Sequence, residues 1–321
     1  MAALSNKVLV LGAGGSIGGE VARQLRDGGW QVQALKRGLA AAALERDGIQ
    51  WLRGDALDRD DVVRAAQGCS VIVHAVNPPG YRNWAEQVLP MIDNTIAAAR
   101  IVGATILLPG TVYNYGPDAF AALDEQAPQR PLTRKGRIRV ELEQRLRDAA
   151  RDGVRAIVLR TGDFFGAQSG SSWLSLGMIK PGRAVKVINL PGDPGVGHQW
   201  AYLPDVARTM VELLARRETL APFAAFHMAG HWDADGTRMA AAISRLVERS
   251  GGQAKLRRFP WWLVRLASPL VTTFREMLEM RYLWRTPVRM NNAHLVSVLG
   301  AEPHTPLEQA METTLRGVGC L

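Results

Sequence analysis

Short apolar runs alternate with amphipathic stretches over the first two thirds of the chain. The runs Lys7–Leu11, Gln31–Leu35, Ile49–Leu52, Ser70–Ala75, Thr105–Pro109 and Arg155–Leu159 are rich in Val, Ile and Leu without clean polar alternation. Strands covered on both faces read this way. Between them, Ile17–Asp27, Arg59–Ala66, Trp84–Val102 and Ile138–Arg151 have the pattern of helices. Strand–helix alternation with right-handed crossovers predicts an α/β fold, a doubly wound parallel sheet of about six or seven strands.

After Arg160 the pattern loosens. The segment 166–197 is rich in Gly, Ser and Pro, with a short apolar stretch at 184–190. Tyr202–Ala215 reads as a helix, Phe223–Met228 as a strand and Gly236–Ser250 as an amphipathic helix. Pro260–Trp284 is largely helical with a break at Pro269, and Pro306–Val318 forms the last helix, with Thr305 as its N-cap. The alanines 40–43 favour helix. The expected division is a main domain over 1–165, completed by about 198–230, and a small C-terminal lobe from 166–197 and 231–321.

The composition is that of a folded chain of 321 residues, 47% hydrophobic and 21% charged. No apolar run is long enough to span a membrane, and the first strand begins too early for a signal peptide. With only Cys69 and Cys320, a disulfide framework or thiolate metal site is not expected; a reducing, cytoplasmic setting is. The net charge of +9 is spread rather than blocked, so it reads as a solvated surface, and no nucleic-acid motif accompanies it.

The string Gly12-Ala13-Gly14-Gly15-Ser16-Ile17-Gly18 follows a buried strand and opens a helix. Glycines there allow the tight turn, close approach of a pyrophosphate, and packing of helix on strand. The N–H groups and helix dipole favour phosphate. This places a dinucleotide on a Rossmann fold. The second strand ends in Lys36-Arg37, with no carboxylate until Glu45. An acid there would hold the ribose hydroxyls of NAD(H), whereas Arg37, with Lys36, can bind a 2′-phosphate. NADP(H) is the expected cofactor and NAD(H) the alternative.

Together these segments resemble the extended short-chain dehydrogenase/reductase superfamily, the NAD-dependent epimerases and dehydratases. Gly12-x-x-Gly15-x-x-Gly18 matches its turn, and Gly54-Asp55 resembles its adenine-contacting Asp. Ile72-Val73-His74-Ala75 is similar to the fourth-strand motif beside the nicotinamide, which Val76 and Asn77-Pro78-Pro79 continue. Thr111-Val112-Tyr113-Asn114-Tyr115-Gly116 resembles the fifth-strand segment, with Thr111 at the catalytic Ser/Thr place. Leu159–Gly166 and Tyr202–Ala207 resemble two later motifs. The resemblance runs from Val8 to Ala207 and implies an oxidoreductase, epimerase or dehydratase with a C-terminal substrate lobe and a small-molecule substrate.

The catalytic pair departs from this pattern. Where the family has Tyr-x-x-x-Lys, this chain has Lys135-x-x-x-Arg139, and no tyrosine lies between Tyr115 and Tyr202. Three readings follow. Lys135 replaces the tyrosine as general acid or base, lowered toward neutrality by Arg139 and the nicotinamide ring. Alternatively Tyr113 or Tyr115 supplies the phenol while Thr111 anchors the substrate oxygen. In the third, the site is chemically silent and the protein is a regulator that senses NADP(H) for a partner.

No metal is expected: His227 and His231 are four apart, but on a strand followed by Gly230 they share no helical face. His74 reads as a packed residue, and His198 lies near the expected cofactor edge. The late aromatics Phe259, Trp261, Trp262, Phe274, Tyr282 and Trp284 read as core of the small lobe. Lesser readings are a substrate pocket, a homodimer contact or, with the interspersed arginines, a membrane surface.

Overall fold

The computed structural model describes residues 6–78, 83–120, 123–169 and 172–321. Pro79 of the expected turn lies outside them. The elements run β1 (Lys7–Leu11), α1 (Ser16–Asp27), β2 (Gln31–Lys36), β3 (Ala43–Arg46), β4 (Ile49–Arg53), α2 (Arg59–Ala66), β5 (Val71–His74), α3 (Trp84–Val102), β6 (Thr105–Thr111), α4 (Arg134–Arg151) and β7 (Ala156–Thr161). There follow β8 (Asp163–Phe165), β9 (Val187–Leu190), β10 (His198–Tyr202), α5 (Leu203–Ala215), β11 (Phe223–His227) and β12 (His231–Asp233). The chain ends with α6 (Arg238–Arg249), β13 (Lys255–Arg258), α7 (Trp261–Ala267), α8 (Thr272–Glu279), α9 (Ala293–Leu299) and α10 (Leu307–Gly317).

The chain folds as two compact units. The first comprises Met1–Asn114, Arg134–Arg160 and Ala207–Phe226; the second comprises Tyr115–Thr133, Thr161–Val206 and His227–Leu321. The division is more interleaved than the sequence suggests. Residues 115–133 join the second unit, and the 198–230 return is shared between the two.

In the first unit eight strands form one sheet in the order β11-β7-β6-β5-β1-β2-β4-β3. Strand β1 runs parallel to both β2 and β5, β2 to β4, and β5 to β6. The chain moves outward from β1 through β2 and β4, then returns to β5 on the other side. That reversal leaves a crevice at the carboxyl ends of β1 and β5, the usual ligand position in such sheets. Leu9, Leu11, Ile72, Ile106 and Val158 pack with residues of α2, α3 and α4 in one core. Their alternates Val8, Val10, Val71, Val73 and Leu107 are buried as well, which explains the unbroken apolar runs.

One strand is a correction. The alanines favour helix, yet Ala43–Arg46 is an exposed edge strand antiparallel to β4. It turns through Asp47 (φ 55°) and Gly48 (φ 68°), the Asp-Gly hairpin chemistry that outweighs the propensity of the preceding residues.

In the second unit β12, β10 and β8 form a small sheet, and β9 pairs with β13. Phe165, Trp200, Ile243, Trp261, Trp284 and Met311 share its core. Of the late aromatics, Trp261 and Trp284 are buried there and Trp262 is exposed. Thr305 does not cap α10. Its N–H and hydroxyl instead donate to Asp205 Oδ2 and Oδ1, at 2.6 and 2.7 Å, and Pro306 stands at the helix start without a side-chain cap. The buried Asp205 carboxylate, an acceptor that needs partners, competes successfully for the threonine.

Candidate active site

At the head of the crevice β1 hands over to α1. Gly12 has φ 92°, and a Cβ there would stand 2.5 Å from the Ala75 carbonyl oxygen. A Cβ on Gly18 would overlap the Gly12 carbonyl and lie 3.1 Å from the Ala75 Cβ. These two glycines are demanded by the close approach of turn, helix and the end of β5. The Gly15 N–H donates to the Gly12 carbonyl at 2.9 Å and closes the turn. Gly14 is exposed with open space where a side chain would go. Ser16 and Ile17 begin α1, which has no side-chain cap and no acid in its first turn. An uncapped, acid-free helix start behind a turn of bare backbone suits a pyrophosphate.

One pocket in this unit is lined by Gly12, Lys36, Arg37, Asp55, Val76 and Asn77, with Leu11, Leu35, Gly54 and Met91 among its other walls. The register explains the grouping. Lys36 pairs with Arg53 across β2 and β4, which sets Arg37 beside Asp55. Arg37 Nη1 stands 3.8 Å from Asp55 Oδ2, an exposed pair of little stabilising value that leaves the guanidinium available. Lys36 Nζ lies 5.3 Å from the Trp51 ring centre. Asp55 Oδ1 accepts the Leu57 N–H at 3.0 Å, and the Asp55 N–H donates to Asp61 Oδ2 at 2.9 Å, so the loop is fixed at both ends. The Ala75 N–H donates to the Leu11 carbonyl at 2.9 Å, carrying the sheet up to Val76 and Asn77.

The remaining side chains come from α4. Lys135, Arg139 and Glu143 recur every four residues and are all buried, so they share one helical face. Arg139 Nη2 donates to Asn77 Oδ1 at 3.0 Å, and its guanidinium sits 5.0 Å from the Trp84 ring centre. Glu143 accepts from Arg160, with Nη2–Oε2 at 2.6 Å and Nε–Oε1 at 3.1 Å. Asn114 Nδ2 donates to Glu143 Oε1 at 2.9 Å, and the Thr111 hydroxyl donates to Asn114 Oδ1 at 3.1 Å. A chain of bonds thus runs from Arg160 through Glu143 and Asn114 to Thr111. Asn114, Glu143 and Arg160 were not among the expected site residues. Their signal was a charge inside an apolar strand and a third polar position on the four-residue repeat. Removing one member of a buried pair leaves the other uncompensated. Glu143→Gln is therefore expected to cost about 3–5 kcal/mol in urea unfolding, and a loss under about 1 kcal/mol, the worth of a surface pair, would contradict this reading.

The two tyrosines part company. Tyr113 is half-buried in the short 3₁₀ turn Val112–Asn114. Tyr115 belongs to the second unit and is fully buried, its phenol oxygen 2.6 Å from His227 Nε2 and 3.4 Å from the Asp124 carbonyl. His227 and His231 are likewise separated. His231 lies instead with Asp205 and His304, where one ligand-type atom from each falls within 4.8 Å of the others. Asp205 already accepts both bonds from Thr305, so the group serves first as a tie between α5 and the approach to α10. His198 is bonded to Asp163 Oδ2 at 2.8 Å and stacked on Trp284.

His74 ends β5. Its Nδ1 lies 2.8 Å from the Thr95 hydroxyl, which itself donates to the Met91 carbonyl, so Nδ1 carries the proton. Burial, then the Arg139 charge, pushes this imidazole down to about 3. Burial, His304 and Arg238 push His231 down to about 4. Both stay neutral in the folded protein but protonate near 6.5 when it unfolds. The unfolded chain thus binds more protons below that pH, and stability falls on acidification at about 1.4 kcal/mol per pH unit for each. Between about pH 6.5 and pH 5, His74→Asn is expected to remove its own share of this slope, up to about 1.4 kcal/mol per pH unit. An unchanged slope in urea titrations at the two pH values would contradict it.

The comparisons bear on the family and the fold. The model of the NAD dependent epimerase/dehydratase family matches residues 8–229. The 2-alkyl-3-oxoalkanoate reductase of Shewanella oneidensis is 29% identical over 128 residues, which is 39% of this chain and 32% of that protein. Among solved structures, UDP-glucuronic acid 4-epimerase from Bacillus cereus, in complex with UDP-glucuronic acid and NAD, superposes with a TM-score of 0.73. It has 15% identity, over 97% of this chain and 98% of that one. UDP-glucose 4-epimerase from Brucella ovis, in complex with NAD, gives 0.71 at 16% identity over 98% and 99%. Likeness at this identity establishes the fold, and the family match extends over more than half the sequence. The chain belongs to the NAD dependent epimerase/dehydratase family.

Proposed function

We propose that the protein is an NADP(H)-dependent oxidoreductase of this family, acting on a small carbonyl- or hydroxyl-bearing substrate, with Lys135 exchanging the proton at the substrate oxygen. The observation that carries this is the α4 face. A fully buried lysine, which the family resemblance aligns with the tyrosine, lies one turn before an arginine that bonds Asn77 in the pocket beside the glycine turn. NADP(H), when bound, supplies or accepts the hydride. Gly12, Gly15 and Gly18 receive the pyrophosphate, with the first N–H groups of α1, and Arg37 with Lys36 binds the 2′-phosphate. Thr111, oriented by Asn114 and Glu143, anchors the substrate oxygen. Arg139 acts as a positioning residue through Asn77. Tyr115, its phenol committed to His227, takes no part. The two free, buried cysteines suit the reducing cytoplasm.

The test is loss of NADPH absorbance against a panel of carbonyl compounds. It is led by 2-alkyl-3-oxoalkanoates, the substrate in the name of the reductase relative; UDP-sugars, as bound by the epimerases, carry hydroxyls rather than a free carbonyl and are tested with NADP⁺ for NADPH formation. Turnover of one class supports the reading. Tight NADPH binding with no turnover across the panel would mark a coenzyme-binding regulator instead. Arg37→Ser is expected to weaken NADPH by about 30–100-fold, the worth of a hydrogen bond to a charged group, and to leave NADH unchanged. An equal loss for both coenzymes in calorimetric titration would remove Arg37 from this role.

A further inference from the structure

The solvent face of α7 is the reverse of what an exposed helix requires. Trp261 and Val264 turn into the core of the second unit. The opposite side presents Trp262 at 68% exposure, Leu263 at 45% and Leu266 at 72%, and the turn that follows adds Leu270 at 91% with Val271 at 39%. Single exposed apolar residues are ordinary, but a contiguous group of this size marks a contact surface.

Charge identifies the partner. From Gly251 to Arg275 the sequence contains no acidic residue, while Lys255, Arg257, Arg258, Arg265 and Arg275 all lie exposed in it. All four residues of β13, which leads into α7, face solvent. The next acid, Glu276, is buried. An apolar ridge of Trp and Leu flanked along the chain only by bases is complementary to an anionic lipid surface. There the leucines and the indole enter the acyl boundary and the bases meet lipid phosphates. At seven residues α7 is about 10 Å long, and no helix among the described residues is long and apolar enough to cross a membrane. The contact is therefore interfacial.

We propose that the Trp262–Val271 segment docks the protein on anionic membrane surfaces. This stands apart from the coenzyme reading, because none of these residues lies in the pocket or on α4. The test is co-sedimentation of the full chain with vesicles of phosphatidylcholine alone and of phosphatidylcholine mixed with phosphatidylglycerol. Binding is expected to the mixed vesicles only and to weaken with added salt. The double variant Leu266→Glu, Leu270→Glu is expected to reduce partition by about tenfold or more with its thermal midpoint and NADPH affinity unchanged. The proposal is overturned if the wild-type chain ignores mixed vesicles, or if the variant partitions as wild type. It is also overturned if light scattering shows a dimer that the variant dissociates, since a second copy would then be the occupant.

Discussion

Replacing Lys135 with methionine is expected to lower turnover by about 10²–10⁴-fold, the usual contribution of a positioned general acid or base, while NADPH affinity changes little. Methionine is chosen because the lysine is fully buried and a side chain of similar length fills the same space. A loss in turnover without a loss in coenzyme binding separates proton transfer from scaffolding. Measuring steady-state rates beside a coenzyme titration on the same preparation gives both numbers. Full activity in this variant would move the proton to Tyr113, the half-buried phenol on the turn after β6, and Tyr113→Phe would then be the inactive protein.

The second large effect lies at the glycine turn. Gly18→Ala puts a methyl group onto the Gly12 carbonyl, so the turn must open or α1 must move away from β5. Either displaces the N–H groups proposed to face the pyrophosphate. Overpacking of this kind costs about 1–3 kcal/mol. Once those N–H groups no longer reach the phosphates, the NADPH dissociation constant should rise by about 100-fold or more. Gly14→Ala serves as the contrast: its Cβ would stand in open space, so its unfolding midpoint should match the wild type, whereas that of Gly18→Ala falls. Equal midpoints and equal affinities for Gly18→Ala and the wild type would show that the turn is not closed as described.

Much of the first unit could be read directly from sequence. Strands covered on both faces have no polar side to show, so β1, β5 and β6 stand out as apolar runs, and the glycine spacing marks the corner between β1 and α1. The edge strand β3 was hidden because every residue in it is exposed; only the Asp47-Gly48 turn betrays it. The short strands β8, β10 and β12 were hidden for a different reason. Their mixed polar and aromatic residues make no apolar run, and their partners are distant in sequence, as in the pairing of Trp200 with Asp163 and His231. At the site, the local motifs placed Lys36, Arg37, Asp55 and Asn77, and the structure gathers them around one pocket. The Arg160–Glu143–Asn114–Thr111 chain escaped notice because it is made of long-range side-chain bonds. Tyr115 shows the converse: a residue within a motif has its phenol turned to His227, 112 positions away.

All of these roles depend on a two-phosphate coenzyme lying across the Gly12–Gly18 corner with its ribose phosphate at Arg37. Calorimetric titration of the unmodified protein with NADPH and with NADH tests this most directly. NADPH is expected to bind at one site per chain and at least about tenfold more tightly, a difference of about 1.4 kcal/mol. Equal affinities, tighter NADH, or no heat from either coenzyme would contradict the account.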